Sequence, residues 1–243
     1  MNYFENLLKM LCGDRYSSYF FKYLNRSFSQ EGEDMILRRI FGDKRNGFYV
    51  DVGAHHPFRF SNTFYFYEIG WRGINIDATP GSMELFNRFR KRDVNLELAV
   101  GNRREKRKYF IFNEPALNTF DERLARERER EGNFKVVDVI EVDTLPLADI
   151  LDKYLPQGIK IDFMNVDVEG MDLEVLQSNN WDRYRPYVVL AEITPASFVK
   201  EALESSICLF MEAMGYRFFA KTFNTCFFID VANSSLVGER QIR

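Results

Sequence analysis

The sequence predicts an α/β fold built around a mostly parallel, seven-stranded sheet that closes with an antiparallel hairpin. Three observations support this prediction. Short apolar runs alternate with helix-length segments along most of the 243 residues, which is the order of β-α units. The apolar run that begins at Gly47 stops abruptly in Gly53 and Ala54, as a buried strand does before a ligand-binding turn. Residues 216–222 and 226–231 are strand-like and joined by three residues, which predicts the hairpin.

Each predicted element follows from its apolar pattern and its end signals. The five core strands before the hairpin are predicted at 47–54, 73–77, 94–100, 161–167 and 187–193. Helices are predicted at 62–70, 81–91, 146–154, 171–177 and 196–214. Gly215 is a suitable stop for the last helix, and residues 107–112 and 136–142 are also strand-like. Five β-α units and a hairpin give seven core strands with an antiparallel edge.

The turn after the first strand is the first candidate binding site. A dinucleotide fingerprint needs three glycines in G-x-G-x-x-G to hold a pyrophosphate at a helix start, and only Gly53 is present here. A nucleoside without phosphate, such as S-adenosylmethionine, needs only close approach of the backbone and a carboxylate for its ribose hydroxyls. Asp77 ends the second predicted strand, close to the offset of about 20 residues expected for that carboxylate.

Residues at several predicted strand ends are expected to share one site. In a sheet of this kind, ligands bind at the carboxyl ends of the strands, where the strand order reverses. The strand ends here carry Asp51, Asp77, Val100, Asp167 and Glu192. The topology therefore brings residues that are distant in the sequence to one edge of the sheet.

Composition and charge limit the classes of function. The chain is 46% hydrophobic and 28% charged, which is a globular composition, and its net charge of −3 argues against a dedicated nucleic-acid binder. Its three cysteines have no metal-ligand spacing, so we expect free thiols and a cytoplasmic location. The sequence contains neither an apolar stretch of membrane-spanning length nor the pattern of a signal peptide.

The N-terminal residues differ from the rest of the chain. Residues 1–27 are rich in aromatic side chains with partly helical spacing, whereas residues 28–243 carry the α/β pattern of a catalytic domain. We expect residues 1–27 to form a helical arm that packs on its own domain or on a second subunit. Packing on a second subunit would make the protein a homo-oligomer; a helix at a membrane surface is the alternative.

Six short motifs follow one another along the chain. They are FSQEGED at 28–34, FYVDVGAHHP at 48–57, SNT at 61–63, GWRGINID at 70–77, LAVG at 98–101 and NVDVEG at 165–170. Together they resemble the FkbM family of S-adenosylmethionine-dependent methyltransferases, over about residues 28–231. The resemblance implies a class I methyltransferase fold, which is Rossmann-like, and O-methylation, often of sugar or glycan hydroxyls and sometimes of natural products.

The resemblance also implies which residues bind S-adenosylmethionine. They are Gln30, Asp51, Gly53, Ala54, Asn62, Asp77, Ala78, Ala99, Val100 and Asp167. The family commonly has Glu followed by Pro-Asn-Pro where this chain has Asp77-Ala78-Thr79-Pro80. Two alternatives from other classes are a dehydrogenase on a related sheet and a non-catalytic scaffold that binds a nucleoside. The missing glycines disfavour the first, and the intact turn with its acids disfavours the second.

Methyl transfer to a hydroxyl needs two positioned reactants and a group that removes the hydroxyl proton. His55 and His56 are the only histidines, and histidine suits a general base near neutral pH. We predict His56 as that base. The alternatives are a structural role for both histidines in the turn before Pro57, and a metal ligand.

Acidic residues at the strand ends are the competing candidates. Asp167 and Glu169 are two residues apart, and Glu192 ends the neighbouring strand. Asp167 and Glu169 are candidate bases, and all three carboxylates together are candidate ligands for Mg²⁺ or Ca²⁺, which would lower the pKa of an acceptor hydroxyl. In the structural alternative, Asp167 caps the following helix and Glu169 lies in its first turn.

Residues 101–135 carry more charge and more aromatic rings than a simple crossover needs. The run 103–108 is basic and the run 126–131 alternates in sign, but neither has stacking aromatics, so no nucleic-acid partner is expected. Like charges would meet at i,i+4 in a helix, so we expect 126–131 to be a solvated, non-helical segment. Rings beside cations suit a hydroxyl-rich, anionic small-molecule or glycan acceptor, for example a nucleotide-linked or lipid-linked sugar. We therefore expect residues 101–135 to form a wall of the acceptor pocket.

Overall fold

The computed structural model describes residues 23–194 and 198–233, together with Met10. Most of the predicted N-terminal arm therefore lies outside the described residues, as does Cys12. Cys208 and Cys226 are buried free thiols, as predicted. Within the described part of the chain, none of the helices has the length and apolar character needed to cross a membrane.

The described residues form ten strands in two sheets. The strands are β1 (Phe48–Val52), β2 (Arg72–Asp77), β3 (Val94–Glu97), β4 (Ala99–Val100), β5 (Glu105–Phe112), β6 (Val136–Leu145), β7 (Phe163–Val166), β8 (Val188–Glu192), β9 (Tyr216–Lys221) and β10 (Thr225–Asp230). The main sheet has seven strands in the order β3-β2-β1-β7-β8-β10-β9. Its pairs are parallel except those of β10, which runs antiparallel to both neighbours. The predicted fold class is confirmed.

The predicted strand 94–100 is wrong as a single element. Val94–Glu97 pairs with β2 of the main sheet, whereas Ala99 and Val100 pair with Thr144 and Leu145 of β6. The second sheet, in the order β4-β6-β5, is built on a long antiparallel pair of β5 and β6. The chain leaves the main sheet at residue 98 because β6 offers a partner for the next two residues.

Eight α-helices lie wholly within the described residues. They are α1 (Glu33–Phe41), α2 (Phe64–Glu68), α3 (Met83–Phe89), α4 (Glu122–Arg130), α5 (Leu147–Tyr154), α6 (Asp172–Gln177), α7 (Val199–Leu203) and α8 (Ser206–Ala213). The sequence pattern did not predict α1. The single helix expected at 196–214 is divided, because the Ser205 side chain accepts a hydrogen bond from the amide of Cys208 and begins a new helix.

The charged run 126–131 lies largely in α4, so the expectation of a non-helical segment is wrong. Asp121 caps this helix by accepting hydrogen bonds from the amides of Arg123 and Leu124 at 2.8 and 3.1 Å. Arg126 pairs with Glu122 one turn earlier. These contacts offset the like-charge pairs at i,i+4.

The main sheet is buried on both faces, which is typical of parallel strands. Val50 and its neighbours on one face pack against α5, α6 and α8. Tyr49 and Phe163 on the other face pack against α1 and α2. Because the sheet core is covered on both sides, ligands have access mainly at the strand ends.

Candidate active site

A cleft opens at the carboxyl ends of β1, β2, β7 and β8. The space in and in front of this cleft, open solvent included, is about 1110 Å³. Most of the predicted site residues line it: Gln30, Asp51, Gly53, Ala54, Asn62, Asp77, Ala78, Val100, Asp167, Glu169 and Glu192. Ala99 is buried beside the cleft and does not line it, and neither does His56. The expected convergence of strand ends on one site is therefore observed.

Gly53 forms the floor of the cleft. Its φ of 82° is left-handed, and a Cβ placed on it would overlap the carbonyl oxygen of Asp167. The amides of Gly53 and Ala54 both donate to the Ile76 carbonyl oxygen, at 2.9 and 3.0 Å. A ligand over this turn therefore meets bare backbone, held between β2 and β7.

Asp77 lies beside that floor with a pre-positioned carboxylate. Its Oδ1 accepts a hydrogen bond from the Thr79 amide at 2.7 Å, and its Oδ2 accepts one from the His55 amide at 2.9 Å. Each carboxylate oxygen can accept a second hydrogen bond. The side chain is 9% exposed and lines the cleft, so its remaining acceptor capacity suits two adjacent hydroxyls.

A buried hydrogen-bond network holds the cleft wall between β1 and β7. The two carboxylate oxygens of Asp51 accept from the Asn165 amide group at 2.9 Å and the Thr63 hydroxyl at 3.0 Å. Asn165 in turn accepts from Asn62 at 2.9 Å. Burial raises the pKa of Asp51, and the hydrogen bonds from Asn165 and Thr63 oppose that shift.

Arg90 anchors this network from below. It is fully buried, forms an ion pair with Asp93 at 3.0 Å, and donates to the Tyr49 hydroxyl at 2.7 Å and the Thr63 hydroxyl at 3.0 Å. A third bond reaches the Pro57 carbonyl oxygen at 3.1 Å. The sequence does not indicate this role of Arg90, because an arginine at the end of an amphipathic helix ordinarily lies in solvent.

Three carboxylates meet at the end of the cleft where β7 and β8 terminate; β1 separates these strands from β2, which terminates in Asp77. One oxygen each from Asp167, Glu169 and Glu192 lie within 4.8 Å of one another, and we name these residues the acidic trio. Burial, followed by the charges of Glu192 and Glu169, raises the pKa of Asp167 well above its ordinary value. Burial, followed by the charge of Glu169, raises the pKa of Glu192 to about 8. Three such groups are stable together only when a proton or cation is shared.

The acidic trio is held by backbone geometry that the sequence analysis did not predict. Glu169 has a φ of 55°, its carbonyl oxygen accepts from the Thr119 hydroxyl at 2.7 Å, and its carboxylate pairs with Arg128. The expected first-turn position of Glu169, with Asp167 as cap, is wrong. At the start of α6, the Asp172 carboxylate instead accepts hydrogen bonds from the amides of Val168 and Gly170, both at 3.3 Å.

Two loops close the cleft beside the trio. The Asn224 amide donates to Glu31 at 3.0 Å, and the Thr222 hydroxyl donates to Glu33 at 2.7 Å. These bonds join the start of α1 and the residues just before it to the turn of the C-terminal hairpin. They place Gln30 at the cleft, as the motif resemblance implied.

The two adjacent histidines have different surroundings. The Nδ1 of His56 accepts from the amides of Phe58 and Arg59, at 3.1 and 3.0 Å, and so stabilises the turn after Pro57. Burial lowers the pKa of His56, which favours the neutral ring that this acceptor role needs. The structural alternative for His56 therefore has direct support, whereas its role as general base stays a prediction. His55, in contrast, lines the cleft.

The insert between β4 and β6 covers the cleft. Its lining residues are Tyr109, Pro115, Ala116, Asn118 and Phe120. Near Asp77, the Tyr109 hydroxyl lies 3.0 Å from that of Thr79, to which Asn118 also donates at 3.1 Å. Among the described residues that line the cleft, none is Lys or Arg. The rings of the expected acceptor wall are thus present at the cleft, and the expected cations are not.

Comparison with known proteins identifies the family. A sequence model described as the methyltransferase FkbM domain matches residues 51–218, which is more than half of the chain. The chain belongs to the FkbM methyltransferase family. The family match extends from the end of β1 into β9, so it includes the Gly53 turn, Asp77 and the acidic trio.

Other comparisons are more distant. The methyltransferase FkbM of Methylobacillus flagellatus KT, a crystal structure, is similar at 12% identity and a TM-score of 0.45. The aligned region covers 76% of this chain and 44% of the Methylobacillus flagellatus chain, so this chain spans less than half of that protein's length. A search of curated proteins returned no match.

Proposed function

We propose that this FkbM methyltransferase transfers a methyl group from S-adenosylmethionine to a hydroxyl of a sugar, glycan or related hydroxyl-rich acceptor. The observation that carries the proposal is a cleft lined by two groups of residues: Gly53 and Asp77 at the ends of β1 and β2, and the acidic trio at the ends of β7 and β8. The first suits a cofactor, and the second suits proton removal from an acceptor.

The residues at the Asp77 end fit S-adenosylmethionine, which supplies an activated methyl group when bound. Gly53 lines the cleft and carries no side chain, so a ligand can lie against its backbone. Asp77 has free acceptor positions for the ribose diol. Asn62 lies on the same wall, held by Asn165.

The acidic trio supplies the proton acceptor. A general base works best when its pKa lies near the working pH, and burial raises the pKa of Glu192 to about 8. Glu192 or Asp167 would take the proton of the acceptor hydroxyl as the methyl group arrives. Arg128, paired with Glu169, offsets part of the negative charge of the acidic trio before it takes the proton.

A divalent cation is the second way to use the same residues. Oxygens of three carboxylates within 4.8 Å suit Mg²⁺ or Ca²⁺, and Oδ1 of Asp167 is buried without a hydrogen-bond partner among the described residues. A cation there would remove the repulsion within the trio and lower the pKa of the acceptor hydroxyl.

The lining also bears on the acceptor. Because no Lys or Arg of the described chain lines the cleft, the part of the acceptor that enters it is proposed to be neutral. Rings such as Phe120 suit the CH faces of a sugar. Any phosphate of a nucleotide- or lipid-linked acceptor would remain outside the cleft, where Arg59 and other exposed cations lie.

Calorimetry and a methyl-transfer assay test the proposal. We expect S-adenosylhomocysteine to bind the purified protein, and label from S-adenosylmethionine to pass to a hydroxyl of a neutral glycan or sugar in a panel that also holds phosphorylated analogues. Assays with EDTA, followed by added Mg²⁺, separate the metal role from the base role. Absence of S-adenosylhomocysteine binding contradicts the cofactor assignment, and transfer only to amines or thiols contradicts O-methylation.

A further inference from the structure

His55 occupies an unusual backbone position at the cleft. Its φ is 50°, a left-handed value that only Gly adopts freely. The His56 amide donates to the Ala54 carbonyl oxygen at 2.6 Å, which makes His55 the centre of a three-residue γ-turn. The form of this turn with positive φ is rare and strained.

That strain is held in place by Asp77. The His55 amide donates to Oδ2 of Asp77 at 2.9 Å, so the strained residue is attached to the carboxylate proposed to bind the ribose. Strained residues persist only where the surrounding contacts fix them, and they cluster at ligand sites. The turn reverses the chain between two histidines, so that His55 lines the cleft and His56 does not.

The imidazole of His55 has unused hydrogen-bonding capacity. Its Nε2 is buried and has no hydrogen-bond partner among the described residues, which is costly for a polar atom. The ring lies nearly parallel to that of Phe60, at an interplanar angle of 20° and a centroid distance of 6.4 Å. One nitrogen of this buried ring is therefore left without a partner.

Electrostatics place His55 with the cofactor end of the cleft. Burial lowers the pKa of His55. The carboxylate of Asp77 opposes this shift more than any other charged group near the ring does. Arg59, His56 and Glu114 are the other charged or titratable groups that act on the ring, and no member of the acidic trio is among them. A neutral ring beside Asp77 can exchange a hydrogen bond with a hydroxyl as donor or as acceptor.

We propose that His55 is a specificity-determining residue that hydrogen-bonds a ribose hydroxyl of the bound nucleoside through Nε2. Asp77 accepts from the ribose diol, and His55 completes the recognition of one of its two hydroxyls. This inference rests on the proposed function, because it needs an adenosine-type cofactor at Asp77. It assigns His55 to binding and leaves proton removal to the acidic trio.

The experiment compares S-adenosylhomocysteine with its 2′-deoxy and 3′-deoxy analogues on two proteins, the wild type and His55→Phe. Phenylalanine keeps a flat ring beside Phe60 and removes both nitrogens. We expect His55→Phe to weaken S-adenosylhomocysteine binding about tenfold, which is the size of one neutral hydrogen bond. For one of the two deoxy analogues, the affinities of the wild type and of His55→Phe should agree within about twofold, because the hydroxyl that His55 recognises is already missing from that analogue.

A structural role for His55 predicts a different result, because all three ligands would then lose affinity in the same proportion. That result, or unchanged binding of S-adenosylhomocysteine, overturns the inference. If the wild type fails to bind S-adenosylhomocysteine, the proposed function fails instead. Should His55→Phe not fold, His55→Gly serves in the same comparison, because glycine adopts this φ without strain.

A spectroscopic readout gives a second criterion. The chain has only two histidines, so the imidazole ¹⁵N resonances are easily assigned by substitution. We expect Nε2 of His55 to shift when S-adenosylhomocysteine binds, and to shift much less with the affected deoxy analogue. An equal shift with all three ligands contradicts a hydrogen bond to the ribose.

Discussion

The backbone of Gly53 lies directly against the carbonyl oxygen of Asp167, so the turn after β1 and the end of β7 meet through main-chain atoms. This contact joins the two halves of the cleft. Gly53 belongs to the proposed cofactor end, whereas Asp167 belongs to the acidic trio. A side chain at position 53 would push them apart.

Gly53→Ala should therefore be strongly destabilising. The left-handed φ of 82° costs about 1 kcal/mol or more for alanine, and the overlap with Asp167 adds to it, so we expect a loss above about 3 kcal/mol in the free energy of unfolding. Gly81→Ala is the matched control, because Gly81 has a φ of 79° and no atom within 4 Å of an added Cβ. Denaturant unfolding measures both. Equal losses would show that the Asp167 contact is unimportant.

Asp77→Ala should weaken the binding of S-adenosylhomocysteine about ten- to a hundredfold. The change removes a charged acceptor, which contributes about 1.5–3 kcal/mol. Calorimetry on a variant with a cooperative thermal transition measures this loss. Asp149→Ala is the control, because Asp149 lies away from the cleft and pairs with Arg104. Unchanged affinity in folded Asp77→Ala protein excludes Asp77 as the ribose ligand.

Stability should depend on pH through Glu192. Burial raises the pKa of Glu192 from 4.5 to about 8, so the folded protein holds a proton that the unfolded chain releases. The free energy of unfolding should therefore fall as pH rises through this window, by at most about 1.4 kcal/mol per pH unit for one proton. Glu192→Gln should flatten this slope. An unchanged slope would show that Glu192 ionises normally.

A divalent cation should reverse that loss of stability. Cations bind deprotonated carboxylates, so Mg²⁺ or Ca²⁺ should raise the melting temperature more at about pH 8.5 than at about pH 6. The effect should disappear in Glu192→Gln. If neither ion changes the melting temperature at either pH, the acidic trio works without a metal, and the general-base account is preferred.

Arg90→Met should destabilise the protein by about 3–5 kcal/mol, because it leaves Asp93 buried without its cationic partner. Arg88→Met is the control. Arg88 lies two residues earlier on α3 and is exposed, so its substitution should change the free energy of unfolding by no more than about 0.5 kcal/mol. A small effect of Arg90→Met would mean that the network under the cleft is dispensable.

The sequence predicts the central strands of the main sheet better than it predicts the second sheet. Strand β1 and the Gly53 turn are local patterns, and Asp77 follows from its place at the end of a strand, so these could be identified without a structure. The division of residues 94–100 between two sheets depends on pairing with Thr144 and Leu145, more than 40 residues away. Local periodicity carries no information on such a partner.

The candidate site shows the same limit at the level of single side chains. His55 and His56 are adjacent and chemically alike, and a reversal of the backbone at His55 decides which one reaches the cleft. The helix at residues 122–130 forms despite its like charges, because Asp121 caps it and Arg128 bonds to the Leu117 carbonyl oxygen at 2.8 Å. Both outcomes depend on contacts that residue spacing does not contain.

The insert is attached at both ends of the cleft, through Thr79 beside the proposed ribose ligand and through Glu169 in the acidic trio. Because of this double attachment, positions in the insert differ in how well they tolerate substitution. Exposed positions of the run 103–108 can drift with little effect on either ligand. Tyr109, Asn118 and Thr119 cannot, because a change at Tyr109 or Asn118 would disturb Thr79 at the proposed cofactor end, and a change at Thr119 would disturb Glu169 in the acidic trio. Divergence in substrate range should therefore proceed through the lining rings, with these three polar anchors retained.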